Sequence, residues 1–417
     1  MFNPFKEKGA PIDKLFVSWD KLYPFSYDKN EVDPYTRLRI ILMNGTEYEA
    51  NWFLHQFNRH CANNDLRREV AFIRRTEQQQ QKKIACLKPI DETLLETTIG
   101  YEQLAVDLTA RLAQSEPDEN VKMALDFALL EDFDHLYRYA DLLEHDTKMH
   151  AEALVGSYTE IMPGRPTIAH HRHPFDDVRY TINNKTASPI TKLNVEIITA
   201  AEQQTMNYYM NLGQFYENDL GRQLYQEIAM VEEQHVSSYG SLIDPNCTWL
   251  ECMLMHEYVE CYLYYSCMQD ENDPKVRALW AEYLDQELTH LHMTAELLKK
   301  YEKKDWQEVF TCGGDFPQLL TLGPNVEYVR DILANTVRNT TQREDVVPLD
   351  SVDDDAEFFV YQGQVNKVIK NVPSHAVINQ EIEARGEDYR FQVDEHPIEE
   401  LSNKEKDNTD IGRVKGK

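Results

Sequence analysis

The sequence predicts an all-α protein built as two tandem four-helix bundles with an extension at each end. Three observations carry that prediction: a repeated frame of acids and histidines, a gap-free duplication, and helix-period apolar segments broken by caps and turns. Three of the fourteen histidines have an acid three positions before and another thirty before that: Glu102/Asp132/His135, Glu202/Glu232/His235 and Glu257/Glu287/His290. At this composition chance would supply about 0.4 such frames in the whole chain. Glu47 stands as far before Glu102 as Glu202 does before Glu257. Glu77 follows thirty residues on, with Gln80 in the place of the histidine. The pair (47, 102) recurs 155 residues later as (202, 257), and Pro34/Pro189, Leu38/Leu193, Arg67/Arg222, Asp118/Asp273 and Val121/Val276 keep the same offset. Repetition on that scale implies a duplicated domain, itself a doubled hairpin.

Taken in order, residues 1–33 are rich in Pro, Phe and Tyr and form an arm expected to drape over a neighbouring bundle. Residues 34–145 form the first bundle. Asp33-Pro34 sets a capping side chain before a first-turn proline, Asn63-Asn64-Asp65 and Ser115-Glu116-Pro117-Asp118 break the hairpins, and Asp91 is a candidate N-cap. Ala124, Phe127, Ala128 and Leu130 show the three- and four-residue apolar steps of the helices between. Residues 146–188 read as a linker, with His170-His171-Arg172-His173 a solvated loop ahead of Pro174. Residues 189–303 repeat the plan from Ser188-Pro189, with breaks at Glu217-Asn218-Asp219 and Asp270–Pro274 and Asn246 as the second candidate cap. Residues 304–417 predict a turn at Gly313-Gly314, a helix around Val326–Val337, and a frayed polar close from Asn403. An arm of that length suits wrapping a partner subunit, hence a homo-oligomer.

Fourteen residues out and fourteen back, at about 1.5 Å each, return a hairpin to its starting height, so acids thirty apart share one level. The histidine sits one turn along, on the face of its own acid. Two packed hairpins then bring four carboxylates and two imidazoles together. Only 22 residues separate His235 from Glu257 and Gln80 from Glu102, which fits short turns near Pro89 and Asp244-Pro245 and an up-down-up-down order. The spacing leaves open whether hairpins pair within a repeat, between repeats or between chains. Bare buried carboxylates would cost several kcal/mol each or take up protons, and two divalent cations cancel them. Oxygen-rich ligation with imidazole suits iron or manganese and leaves zinc open.

Two glutamates plus two Glu-x-x-His pairs, complete in the second bundle as Glu202, Glu232/His235, Glu257 and Glu287/His290, resemble the ferritin-like superfamily and, within it, the rubrerythrins and manganese catalases. The resemblance implies that these six residues bind two iron or two manganese ions. It also implies an oxidoreductase acting on peroxide or dioxygen. The first bundle departs from the pattern: Glu47, Glu77, Gln80, Glu102, Asp132 and His135 form a second candidate set, read as a decayed, structural copy. A peroxidase here would need an outside electron donor, since no C-x-x-C domain is appended. The alternative is a metal-storage or structural assembly protein on the same scaffold. A lone Glu-x-x-His is ordinarily an exposed helix pair, and Glu233 reads as that kind of neighbour, while Glu131 could stand in as a ligand through its i,i+4 relation to His135. Tyr101, Tyr208, Tyr209, Tyr258, Tyr262, Tyr264 and Tyr265 cluster around the frames, and the sequence does not pick which of them meets a carboxylate.

Composition closes off other classes. With 72 acids against 43 bases the net charge is −29, which opposes nucleic acid and anionic membrane. No apolar run is long enough to span a bilayer, and residues 1–13 lack a signal core. Seven cysteines without a C-x-x-C argue against a disulfide framework or zinc knuckle, and Cys247, Cys252 and Cys261 read as small core residues of one helical pattern. These features predict a soluble, cytoplasmic protein.

Overall fold

The computed structural model describes residues 1–169, 171–386, 389–390, 392–402, 408 and 411, and is mostly helical. Eight helices of 22 to 29 residues dominate: α1 (Pro34–His60), α2 (Asn64–Ala85), α3 (Leu94–Ser115), α4 (Glu119–Thr147), α5 (Pro189–Leu212), α6 (Asp219–Leu242), α7 (Trp249–Asp270) and α8 (Pro274–Glu302). The caps follow the duplication. Asp33 and Asp273 accept first-turn N–H groups ahead of a proline, as Asp118 does without one. The second hairpin of each repeat starts on a threonine capping box, Thr93 with Glu96 and Thr248 with Glu251, instead of on Asp91 and Asn246. The helices α4 and α8 both end on a left-handed lysine, Lys148 and Lys303.

The chain divides into two compact units that interleave the hairpins. Unit 1 holds Met1–Glu92, Thr181–Gln204 and Ile243–Leu322; unit 2 holds Thr93–Tyr180, Thr205–Leu242 and Gly323–Lys417. The expected consecutive bundles, 34–145 and 189–303, are therefore not the compact bodies. The hairpin α1–α2 shares unit 1 with α7–α8, whereas α3–α4 shares unit 2 with α6 and the end of α5. Each hairpin closes its own backbone hydrogen bonds, so partner choice falls to side chains that helical periodicity does not report. In unit 1 the buried Arg39 of α1 meets Asp270 at 2.8 Å and Glu271 at 3.4 Å, at the α7–α8 turn, and Thr36 donates to Glu271.

Residues 1–33 pack within unit 1: Phe5 stacks on Trp306, and Val17 and Gln79 exchange two 3.0 Å hydrogen bonds. In unit 2, α3 and α4 are buried on nearly all sides, with Ile99, Val106, Leu129, Phe133 and Leu136 in one continuous core. Each such side chain contributes about 1.5–3 kcal/mol. The segment after α4, expected as a linker, enters this core through Ala151, Val155, Ile161 and Met162, and Arg165 lies over the Phe127 ring at 4.1 Å and donates to the Phe127 carbonyl at 2.8 Å. The C-terminal extension divides, 304–322 belonging to unit 1 and the part from Gly323 onward to unit 2. It supplies α9 (Val326–Thr336), α10 (Glu357–Val365) and α11 (Pro373–Arg385), plus a two-stranded hairpin, β1 (Asn339–Gln342) and β2 (Asp345–Pro348), which the sequence reading lacked. Its Arg390 is buried against Asp141 and Glu144. Most of the expected frayed close (403–407, 409–410 and 412–417) and His170 lie outside the described residues. Among the described residues no helix is long and apolar enough to cross a membrane.

Candidate metal centres

Unit 1 gathers side chains from four helices: Glu47 on α1, Glu77 and Gln80 on α2, Glu257 and Glu260 on α7, Glu287 and His290 on α8. All are buried. Ligand atoms of Glu77, Glu257, Glu287 and His290 lie within 4.8 Å of one another, as do those of Glu47, Glu77 and Glu260. His290 Nδ1 is 2.7 Å from Glu77 and 3.0 Å from Glu287, while Thr76 Oγ1 sits 2.7 Å from its Nε2. Gln80 fills the histidine position and donates through its amide to Glu287; Tyr264 donates to Glu47. Glu260 was not expected. Its place three residues after Glu257, on the same face of α7, is the signal that would have found it.

The electrostatics of unit 1 are those of crowded acids. Burial, then the charges of Glu77 and Glu287, hold Glu47 well above the usual carboxylate range; Glu257 and Glu260 are raised by burial and their acidic neighbours. Burial alone would push His290 down, but Glu287 and Glu77 outweigh it and hold the imidazole well above its ordinary value.

Unit 2 brings together Glu102 on α3, Asp132 and His135 on α4, and Glu232 and His235 on α6, again all buried. Two groups within 4.8 Å overlap here: Glu102, Asp132, His135 and Glu232 form one, and Asp132, Glu232 and His235 belong to the other. Glu202, on α5, is buried and falls within the unit 1 range Thr181–Gln204. His135 Nδ1 is 2.8 Å from Glu232, and His235 Nδ1 is 3.2 Å from Asp132 and 3.3 Å from Glu232. Behind the ring, His235 Nε2 meets Glu131, whose other oxygen lies 2.9 Å from Arg172. Glu131 thus orients His235 and does not replace a ligand. Arg172, with His171 beside it, is buried, which corrects the expected solvated loop; its guanidinium is held also by Asp177 at 2.7 Å. Glu233 is exposed, as expected. Tyr209 donates to Glu102. Burial would raise Glu232, but His135 and His235 outweigh it and bring it down to about 2.

The expected complete set is therefore split. Glu232 and His235 go with Glu102, Asp132 and His135 in unit 2, whereas Glu257, Glu287 and His290 go with Glu47, Glu77 and Gln80 in unit 1. The residues present fit cations: both oxygens of the buried Glu260 lack a hydrogen-bond partner. Leaving such an anion bare costs several kcal/mol. These buried carboxylate–histidine groups could hold metal ions. No family model, curated protein or solved structure matches the chain.

Proposed function

We propose that the chain is a carboxylate-bridged dimetal protein of the ferritin-like kind, close in plan to rubrerythrins and manganese catalases, using iron or manganese as an oxidoreductase on peroxide or dioxygen. One observation carries the reading: the two ligand groups of unit 2 share Asp132 and Glu232 while each has its own histidine. Shared carboxylates between separate imidazoles would suit two cations, and Glu102, Asp132 and Glu232 would offset three of their four charges. Bound there, a pair of redox-active ions would supply a two-electron couple. The chain's own side chains do the rest. Glu131, itself anchored by Arg172, fixes the His235 ring, and such outer partners commonly tune affinity 10- to 100-fold. The Tyr209 hydroxyl steadies Glu102, and burial excludes bulk water.

Unit 1 is read as a second centre, held by Glu47, Glu77, Glu257, Glu260, Glu287 and His290, with Glu260 making up for the histidine that Gln80 replaces. A peroxidase would draw electrons from an outside donor. The closed burial of both ligand sets favours a second reading, storage or structural use of the metal. Metal analysis of protein expressed in iron- and manganese-replete medium tests the first step: about four equivalents per chain are expected, and none would overturn both readings. Turnover of hydrogen peroxide or dioxygen, lost in Glu232→Ala, supports the enzyme; bound metal without turnover supports storage.

A further inference from the structure

Unit 1 also contains a thiol pair that takes no part in the metal centre. Cys247 lies just ahead of Thr248, the N-cap of α7, and Cys252 lies in the first turns of that helix. Of the three cysteines expected in one helical pattern, mostly as core residues, Cys247 lies ahead of the helix, Cys252 is half-buried and Cys261 is buried. Cys247 and Cys252 stand at the N′ and N4 positions of the Thr248–Glu251 capping box, which the start of a helix brings side by side; the two thiols interact, and Asn184 Nδ2 donates to the Cys247 sulfur at 2.9 Å. The ammonium group of Lys192, largely buried, is near enough to interact with the charges of both Cys247 and Cys312. Neither Cys247 nor Cys252 is fully buried, so a small oxidant can reach them.

These surroundings favour a thiolate on Cys247. Two donors converge on its sulfur, a cation lies nearby, and the positive end of a 22-residue helix begins beside it. The Cys252 hydrogen bond, then that of Asn184, outweigh burial and the neighbouring Asp244 and Glu251 charges and bring the Cys247 thiol down to about 7. Cys252 moves the opposite way, raised by donating to Cys247 and by burial. One sulfur is thus set to attack and the other to wait as a protonated partner.

We propose that Cys247 and Cys252 form a dithiol–disulfide couple oxidised by hydrogen peroxide, with Cys247 attacking and Cys252 resolving. The Cys247 thiolate bonds to one peroxide oxygen, the O–O bond breaks, and the departing hydroxide takes a proton to become water. The Cys252 sulfur then attacks the Cys247 sulfenic acid; the S–O bond breaks, and hydroxide leaves with the Cys252 proton as a second water. Two thiols and one peroxide give one disulfide and two waters, two electrons passing from sulfur to oxygen. An external thiol returns the pair to the reduced state. The proposal does not rest on the metal reading.

The test uses the reduced full-length chain, as purified, with a stoichiometric amount of hydrogen peroxide. The free-thiol count should fall from seven to five, non-reducing peptide maps should link Cys247 to Cys252, and dithiothreitol should reverse both. Cys252→Ser should leave a sulfenic acid on Cys247 that dimedone traps, and Cys247→Ser should abolish both products. Asn184→Ala keeps both thiols and should slow iodoacetamide alkylation of Cys247 at pH 7 severalfold. A thiol count that stays at seven, whether or not peroxide is consumed, overturns the proposal, as does a disulfide through any other pair.

Discussion

The two acid–histidine clusters, either of which could hold metal, share one plan with a few exchanges. In each unit a Glu-x-x-Gln or Glu-x-x-His pair from one hairpin faces an acid-x-x-His pair from another, and a tyrosine on the helix opposite reaches a glutamate: Tyr264 to Glu47, Tyr209 to Glu102. Unit 2 has two imidazoles, which hold Glu232 down to about 2. Unit 1 has Gln80 where the second would stand and adds Glu260. There a single imidazole serves five carboxylates, and Glu47, Glu257 and Glu260 are all pushed up. The lesson is that a neutral amide in place of an imidazole shifts the charge balance: the acids of unit 1 have fewer countercharges of their own than those of unit 2.

The comparison is tested most strongly by emptying one centre at a time. Glu287→Ala should weaken metal binding in unit 1 by about a hundredfold or more while unit 2 keeps its two equivalents, and Glu232→Ala should do the reverse. Isothermal titration followed by metal analysis reads both. Loss of all four equivalents from either variant would show that the centres are not separate. In the other direction, Gln80→His should tighten metal binding in unit 1 by roughly tenfold and leave unit 2 unchanged.

Next in size are two buried arginines with different jobs. Arg172→Met leaves Glu131 buried without its cation, and Arg39→Met does the same to Glu271; each should cost about 3–5 kcal/mol in denaturant melts. Only Arg172→Met should also weaken metal binding, because Glu131 is the group that holds His235. Equal effects of the two variants on metal affinity would refute the positioning role.

Much of this was legible in the sequence because helices convert spacing into height. The thirty-residue interval placed Glu47 and Glu77, or Glu257 and Glu287, at one level, and Asp33, Asp118 and Asp273 marked helix starts. The pairing of hairpins was not legible. An apolar face states that a partner is needed without naming it, and the deciding contacts, such as Arg39 with Glu271, join residues more than 200 apart in the chain. Arg172 was missed because adjacent basic residues before a proline look solvated until a buried Glu131 is known to lie opposite. The capping threonines were passed over for Asp91 and Asn246, although Glu96 and Glu251 stand three residues after Thr93 and Thr248, as a capping box requires.

A smaller difference between the units is set by pH. Glu196, on the unit 1 part of α5, is raised to about 7 by burial and by Cys247. Its folded value lies above its unfolded one, so the folded state takes up the proton. The stability this contributes is complete below the unfolded value and is lost as pH rises through about 7. Glu196→Gln keeps the neutral form at every pH. It should therefore match the parent in melts near pH 5 and exceed it by on the order of 1–2 kcal/mol at pH 8. A constant difference across that range would mean that Glu196 is not the titrating group.

The smallest expected effects come from the paired capping boxes, and they separate the units most finely. Thr93 and Thr248 occupy equivalent positions, and each accepts the N3 N–H at 3.2 Å while N3 glutamate returns a 2.8 Å bond. Truncating either to alanine removes one acceptor from a helix start, a loss of about 1 kcal/mol. Thr248 does more, because its hydroxyl also donates at 2.8 Å to Glu302, a residue that Lys304 neutralises at 3.2 Å. Thr248→Ala should therefore exceed Thr93→Ala by about 0.5–1 kcal/mol in chemical denaturation. Thr248→Ser, which keeps the hydroxyl, should recover most of that excess. If the two alanine variants cost the same, the tie between the start of α7 and the end of α8 contributes nothing, and the duplicated caps are energetically as well as geometrically equivalent.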